Sequence, residues 1–377
     1  MTTKIMTYKS GKFVFSSKYD QQELTSQWIE VQILYQTVRD LPILPDLASH
    51  LHAELIKKSI FSTAAIEGNP LTEEDVAEIV DEKITGRERA EREISNLKRA
   101  YEYLRRLKPM EGKLNLSEKL VKNVHASITK GIDFADNLPG QYRSHRVQVG
   151  DKTHGGVYTP PKVFDDIVML MPKFIDWINS DEIKNLDPFY RASLAHYHFA
   201  LIHPFGDGNG RTARLLEAIM LQSAGIKFIP VMMSNFYYQN MDDYYLAFSK
   251  AERNKEHDVT DFLRFSLLGA IESLKEIKSR ITYHIRIMTL RDYIHYQRTN
   301  KNLTRRQADL LELLVDYPNM TFNLKELREK SPYVALYRNV SPITARRDIK
   351  RLLELKLIEL KDEKYSINLR ALDDQAS

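Results

Sequence analysis

Residues 203–214 read HPFGDGNGRTAR, which sets one histidine, one aspartate, one asparagine and two arginines around glycines at positions 206, 208 and 210. The chain has only 14 glycines in 377 residues. Three at alternate positions mark backbone that must turn tightly or lie uncovered. Upstream, Asp187-Pro188 reads as the N-cap and first turn of a helix through FYRASLAHYHFALI, which Pro204 keeps from running far. Downstream, RTARLLEAIMLQSAG reads as a second helix with Gly225 just past its end. The stretch is therefore a helix–loop–helix junction. Successive N–H groups of such a loop can turn inward as an anion-binding nest, and the following helix adds its N-terminal N–H groups. Arg211 and Arg214, three apart, share one side of that helix. Two guanidiniums beside a nest suit a nucleotide polyphosphate. A carboxylate there, Asp207, suits Mg²⁺, and a neutral imidazole at the rim, His203, suits a general base on an attacking hydroxyl. The Lys-Ser/Thr pair of a P-loop is missing after the last glycine.

Working outward, most of the chain carries helical periodicity. Apolar residues recur at three- and four-residue spacing over 21–38, 45–66, 72–107, 115–131, 163–179, 188–202, 211–224 and 258–296. The fold class is mainly α. One segment breaks the pattern: in RVQVGDKTHGGVYTPP, Val147 and Val149 alternate, a glycine pair turns the chain, and Val157 and Tyr158 resume. That reads as a β-hairpin closed by Pro160 and Pro161. Beyond about residue 298 the spacing predicts three helices and two short strands, a winged helix-turn-helix. Its third helix opens with Ser341 as N-cap and Pro342 at the first position, and carries Arg346, Arg347, Lys350 and Arg351. The expected domains are 1–110, 111–298 and 299–377. Composition, at 43% hydrophobic and 28% charged, is that of a folded protein rather than a disordered one. The absence of cysteine excludes disulfides and thiolate metal sites. No secretory leader and no membrane span is read, so a cytoplasmic protein is expected. A net charge of +4 does not by itself imply a nucleic-acid partner.

HPFGDGNGR followed by TAR resembles the signature of the Fic family, His-x-Phe-x-Asp/Glu-Gly-Asn-Gly-Arg-x-x-Arg, at every defined position. The resemblance implies a Fic helical core with a β-hairpin flap, and transfer of AMP from ATP to a hydroxyl side chain of a target protein. By that resemblance His203 is the base, Phe205 anchors the loop and Asp207 binds Mg²⁺. Gly208, Asn209 and Gly210 cradle the α- and β-phosphates with Arg211, and Arg214 reaches the γ-phosphate. The segment with Val147, Val149, Val157 and Tyr158 resembles the flap that pins the target by strand addition. SNFYYQNMDDYYLAF lies where the family carries tyrosines near the adenine, which singles out Tyr244 and Tyr245.

TAAIEG, Thr63 to Gly68, resembles the family's Ser/Thr-x-x-x-Glu-Gly/Asn inhibitory helix. On its residues alone it is a helix end at Gly68, followed by a turn at Asn69-Pro70 and a helix capped by Thr72 and Asp75. By the resemblance, Glu67 pairs with Arg214 and competes with the γ-phosphate. Fic proteins of similar layout imply a homodimer. The winged helix keeps two readings, DNA and protein contact, because Asp348 and four glutamates and aspartates downstream interleave with its basic residues. Other readings also stay open: transfer of another nucleotidyl or phosphoryl group, removal of AMP, or a DNA-binding regulator whose Fic part senses nucleotide. A metal hydrolase on His196, His198, His203 and Asp207 is disfavoured, because histidines two apart on a helix face different sides.

Overall fold

The computed structural model describes residues 2–82, 88–109, 114–132 and 137–373. The chain divides into two compact units, one of residues 1–40 and 44–277, the other of 41–43 and 278–377. The division falls inside a helix, about twenty residues before the cut expected from composition. The expected cut at 110/111 lies outside the described residues, and segments on both sides of it belong to one unit.

The first unit opens with an antiparallel hairpin of β1 (Thr2–Met6) and β2 (Lys12–Ser16), which sequence periodicity does not reveal. Its turn is held from outside: the N–H groups of Tyr8 and Lys9 donate to Asp166 Oδ1 at 2.7 and 3.2 Å. Helices α1 (Gln21–Asp40) and α2 (Pro45–Ala65) follow as expected. The single helical run read over 72–107 is two helices, α3 (Glu73–Glu82) and α4 (Arg89–Arg106). Reciprocal caps start each one, Thr72 with Asp75 and Glu88 with Glu91, and the second interrupts the run.

Next come α5 (Glu118–Ile128), α6 (Phe164–Ile178), the short α7 (Asp181–Lys184), α8 (Pro188–Ile202) and α9 (Asn209–Ser223). The last two pack against each other and are buried on nearly every face. That burial is why their sequences are apolar all round except at a few paired polar positions. The tyrosine-rich stretch folds as α10 (Met233–Gln239) and α11 (Met241–Arg253), then α12 (Thr260–Thr299).

The second unit contains α13 (Arg305–Asp316), the short α14 (Glu326–Glu329) and α15 (Val334–Tyr337), α16 (Pro342–Glu354), and an antiparallel pair of β3 (Ile358–Lys361) and β4 (Lys364–Ile367). Leu310, Leu314, Phe322, Tyr337, Ile349 and Leu352 form its core. Ser341 caps α16 as expected, accepting from the Thr344 N–H at 3.2 Å. Asp348 departs from expectation. It turns inward and accepts from Arg306 Nε at 2.8 Å, so it does not offset the exposed Arg346, Arg347, Lys350 and Arg351. Among the described residues, no helix is long and apolar enough to cross a membrane.

Candidate active site

The junction at 203–214 is built from both of its helices. α8 ends with His203 in left-handed backbone, φ 49°, and Gly208 precedes α9 at φ 78°. Of the three alternate glycines only Gly208 takes positive φ; the other left-handed position falls to His203. A non-glycine residue held there costs about 1 kcal/mol or more and needs support. Arg143 supplies it. This fully buried side chain donates from Nε to the His203 carbonyl at 2.8 Å, from one Nη to His145 at 2.7 Å, and from the other to Pro161 at 2.8 Å. Between the two left-handed residues, the Asn209 side chain bridges Phe205. It accepts from the Phe205 N–H at 2.9 Å and donates to the Phe205 carbonyl at 2.8 Å. Asn209 thus shapes the cup with its side chain and leaves only its N–H to face an anion. The Phe205 ring stacks on His125 at 3.6 Å, and the His125 Nε2 proton goes to the Asp207 carbonyl at 2.9 Å.

His203 Nδ1 lies 3.3 Å from the Ala200 carbonyl, which can only accept. The proton therefore sits on Nδ1, and Nε2 keeps its lone pair. Burial, with the Arg143 cation beside it, drives the imidazole pKa from its ordinary 6.5 down to about 4. At neutral pH this is an unprotonated base.

Asp207 Oδ1 accepts from the Gly208 N–H at 2.6 Å and from Arg211 at 2.9 Å, while Oδ2 is 3.7 Å from Arg89. Burial opposes its charge, but Arg211, the Gly208 N–H and Arg89 hold the carboxyl below its usual range. Arg211 also lies 3.5 Å from Glu93, and its buried Nε meets no acceptor among the described residues. No group of three or more His, Asp or Glu that could hold a metal gathers among the described residues. His196 and His198 face different partners, Glu217 and the Ser16 backbone, as their spacing requires.

The TAAIEG segment meets the cup directly. Arg214 donates to Glu67 Oε1 at 2.6 Å, to the Thr63 hydroxyl at 2.8 Å and to the Thr63 carbonyl at 3.2 Å. Gly68 ends the segment in left-handed backbone, φ 81°. Burial disfavours the Arg214 charge, yet Glu67 and Tyr244 beside it raise its pKa above the ordinary value. The Glu67 carboxylate also crowds Gly210, where a Cβ would collide with it. Thr63 and Glu67 come from α2 and the turn after it, so one helix end occupies the cationic side of the cup.

A cavity of about 420 Å³ opens over these groups, lined by Glu67, His203, Gly210, Arg214, Tyr244 and Tyr245 among others. Tyr244 is 5% exposed; its ring stacks on Tyr237 at 4.9 Å and its hydroxyl meets His196. It is core and cavity wall at once, while Tyr245 is only half-buried. The segment expected as a hairpin closes the other side. It is joined by a single antiparallel bridge, with Val149 and Tyr158 exchanging N–H···O bonds at 3.0 and 2.8 Å, rather than by a ladder. Val147 is half-buried and Val157 is 47% exposed. Gly155 and Gly156 lie so close to Ser249 and Arg253 that a Cβ on either would clash, which fixes the tip against α11.

Arg143, His125, Glu93, Glu217 and His196 escape a reading of the sequence in these roles. Each acts across 15 to more than 80 residues of chain, and no short spacing announces such a pairing.

Residues 115–221 match the Fic/DOC family. The chain is 32% identical over 209 residues to a protein of Drosophila willistoni named Protein adenylyltransferase Fic, covering 55% of this chain and 38% of that one. Its counterpart in Drosophila erecta matches with the same identity and coverage. The chain thus spans less than half the length of these relatives. In structure it is similar to a Fic family protein from Desulfovibrio desulfuricans G20, with TM-score 0.56, 21% identity, and 92% and 95% of the two chains covered. It is also similar to a fragment of Fic-1 from C. elegans, with TM-score 0.51, 22% identity, and 68% and 72% covered. These likenesses carry the fold. On signature, geometry and family match together, residues 115–221 of this chain are a Fic domain.

Proposed function

We infer that this chain is a protein adenylyltransferase held off by its own α2 end. One observation carries the reading: the Nε2 lone pair of His203 and the guanidinium of Arg214 border one cavity, and the Glu67 carboxylate sits on that guanidinium. The names of the Drosophila relatives support ATP as the donor and a protein as the acceptor. In the step this geometry suits, Nε2 takes the proton of the target hydroxyl as its oxygen bonds to the α-phosphorus. The bond from that phosphorus to the bridging oxygen breaks, and pyrophosphate leaves with the electron pair. Asp207 fits a Mg²⁺ ion that arrives with the nucleotide, since that ion commonly takes one or two protein carboxylates and fills its shell with phosphates and water. Bound there, it would neutralise charge on the phosphates. Phosphoryl chemistry asks mainly for such positioning and neutralisation.

With Glu67 in place, the γ-phosphate and the carboxylate compete for Arg214. A hydrogen bond to a charged group contributes about 1.5–3 kcal/mol, so its removal is expected to raise ATP affinity roughly ten- to a hundredfold. The test is labelling of a lysate with α-³²P-ATP. Glu67→Gly is expected to label strongly, the wild-type chain weakly, and the Glu67→Gly/His203→Ala double variant about 10²- to 10⁴-fold less than Glu67→Gly alone, the range of a lost general base. Equal labelling by wild type and Glu67→Gly removes the brake, and labelling that survives His203→Ala removes the base.

The element order of the second unit supports a winged helix there. One observation favours nucleic acid as its partner: Asp348 is withdrawn inward by Arg306, which leaves Arg346, Arg347 and Lys350 exposed on α16, while Arg351 lies 3.8 Å from Glu354.

A further inference from the structure

The 145–161 segment supplies one wall of the cavity over the cup, through Gln148, Val149, Asp151, His154 and Tyr158. Its own backbone does little to hold that wall in place. A single bridge between Val149 and Tyr158 joins its two sides, and even a complete two-stranded hairpin is marginal in water. The two ends are tied down by Arg143, which donates to the carbonyls of His145 and Pro161. The tip is held by a side chain that the transfer reaction as described does not use, His154.

His154 bridges two carboxylates on different elements. Its Nδ1 lies 2.9 Å from both oxygens of Asp151 in the same segment, and its Nε2 lies 2.9 Å from Asp242 Oδ1 on α11. The half-buried ring stands edge-on to Tyr245, also on α11, at 5.3 Å. The cation of α11 at this tip, Arg253, lies against Gly156. An ionised carboxylate only accepts, so each ring nitrogen has to donate. Only the imidazolium has both protons; a neutral ring can hold one of the two acids and lets the other go. Asp151 and Asp242 raise the imidazole pKa above its ordinary 6.5. The sign follows: the double contact is complete below the ordinary value and is lost as pH rises through the raised one.

We propose that His154 is a positioning residue for the transfer: as an imidazolium it clips the tip of the 145–161 segment to α11 and so fixes the edge against which the target lies. An edge ordered in advance receives an extended segment without the cost of being ordered at that moment. When His154 loses a proton, one acid is released. The tip then keeps only the close packing of Gly155 and Gly156 on Ser249 and Arg253. Both carboxylates are exposed, so each pair is weak alone and the effect is several-fold rather than all-or-none. This inference rests on the reading of the chain as an adenylyltransferase whose 145–161 segment docks the target.

The test uses the full chain carrying Glu67→Gly as parent, alone and with His154→Gln, Asp242→Asn or His154→Arg, at about pH 6 and about pH 9. Hydrogen exchange of the Val149 and Tyr158 amides, corrected for intrinsic rate, reports the order of the segment. Labelling of a lysate with α-³²P-ATP reports transfer. Each variant is read as a ratio to the parent at the same pH, which cancels titration elsewhere. At pH 6, His154→Gln and Asp242→Asn are expected to speed exchange and to lower labelling, each about three- to tenfold. At pH 9 both are expected to match the parent. His154→Arg stays charged at both values and is expected to exceed the parent at pH 9. Unchanged exchange at pH 6, faster exchange with undiminished labelling, or equal losses at both pH values overturns the proposal. A parent that labels nothing overturns instead the transferase reading beneath it, while the exchange rates still judge the clip. Should His154→Gln not fold, ¹⁵N NMR of the parent decides: the proposal requires both ring nitrogens of His154 protonated at pH 6, and a single N–H refutes it.

Discussion

At the scale of single residues, the site depends on where protons and charges are held. His203 is kept unprotonated by three things at once: its half-buried place in the cavity wall, the Arg143 cation beside it, and the carbonyl of Ala200 that claims Nδ1–H. The consequence is testable in the pH profile. An ordinary histidine base loses activity as pH falls through about 6.5. Here the base protonates only near pH 4, so the acid limb of kcat/KM for Glu67→Gly is expected at or below about that value. Glu67 itself favours the protonated imidazole, so deleting it moves the limb lower, not higher. Measuring initial rates from pH 4.5 to 8 decides the point, and a limb at 6.5 contradicts the buried, cation-flanked environment. Arg143 serves a second purpose: it ties the carbonyls of His203, His145 and Pro161 together, so His203 and both ends of the 145–161 segment share one anchor.

At the scale of elements, the candidate site is the α8–α9 junction with the end of α2 laid against it. Two left-handed residues, His203 and Gly208, turn the chain within a handful of positions, so that α9 starts with Gly210 at the cavity. Gly208 is the residue that cannot be replaced cheaply. Its φ is +78°, and a Cβ there would come within 3.1 Å of the Thr129 side chain. Gly208→Ala is expected to cost about 1–2 kcal/mol in urea unfolding and to lower kcat, because the N–H groups of the cup tilt with it. Stability within 0.3 kcal/mol of the parent, roughly the noise of such comparisons, shows that the left-handed turn is not required. The segment that meets Arg214 is as local as the cup. Helix α2 ends at Ala65, Gly68 closes the turn after it, and Asn69 just beyond donates to Glu93, which itself lies against Arg211. The turn that carries Glu67 thus reaches Arg214 directly and Arg211 through Asn69 and Glu93.

At the scale of the whole molecule, the chain holds a unit that contains the Fic domain and a smaller unit with its own core. In the smaller unit, the inward Asp348 pairs with Arg306, while Arg346, Arg347 and Lys350 stay exposed on α16 and Arg351 lies near Glu354. Phosphate-led binding follows the logarithm of salt concentration with a slope of about one per phosphate contact. Full-length protein is expected to bind duplex DNA with a salt dependence that Arg347→Glu and Lys350→Glu each flatten by about one unit, read by fluorescence anisotropy. Binding that does not occur at low salt, or that ignores both substitutions, assigns α16 to protein contact instead.

Much of this was legible without coordinates. The helical periodicity, the caps at Asp187, Thr72 and Ser341, and the glycine junction are local features, set by side-chain spacing and backbone sterics within a few residues. The dense 203–214 signature made its residues readable one by one for the same reason. The N-terminal hairpin was not legible, because its turn is stabilised by Asp166, more than 150 residues away. Nor were Arg143 behind His203, the His196–Glu217 chain behind Tyr244, or the inward turn of Asp348. The amino-acid order alone determined the helices and the glycine junction that shapes the cup. Tertiary structure alone decided which buried charges face one another, because electrostatic pairing depends on distance through space and burial, and neither is encoded by proximity along the chain.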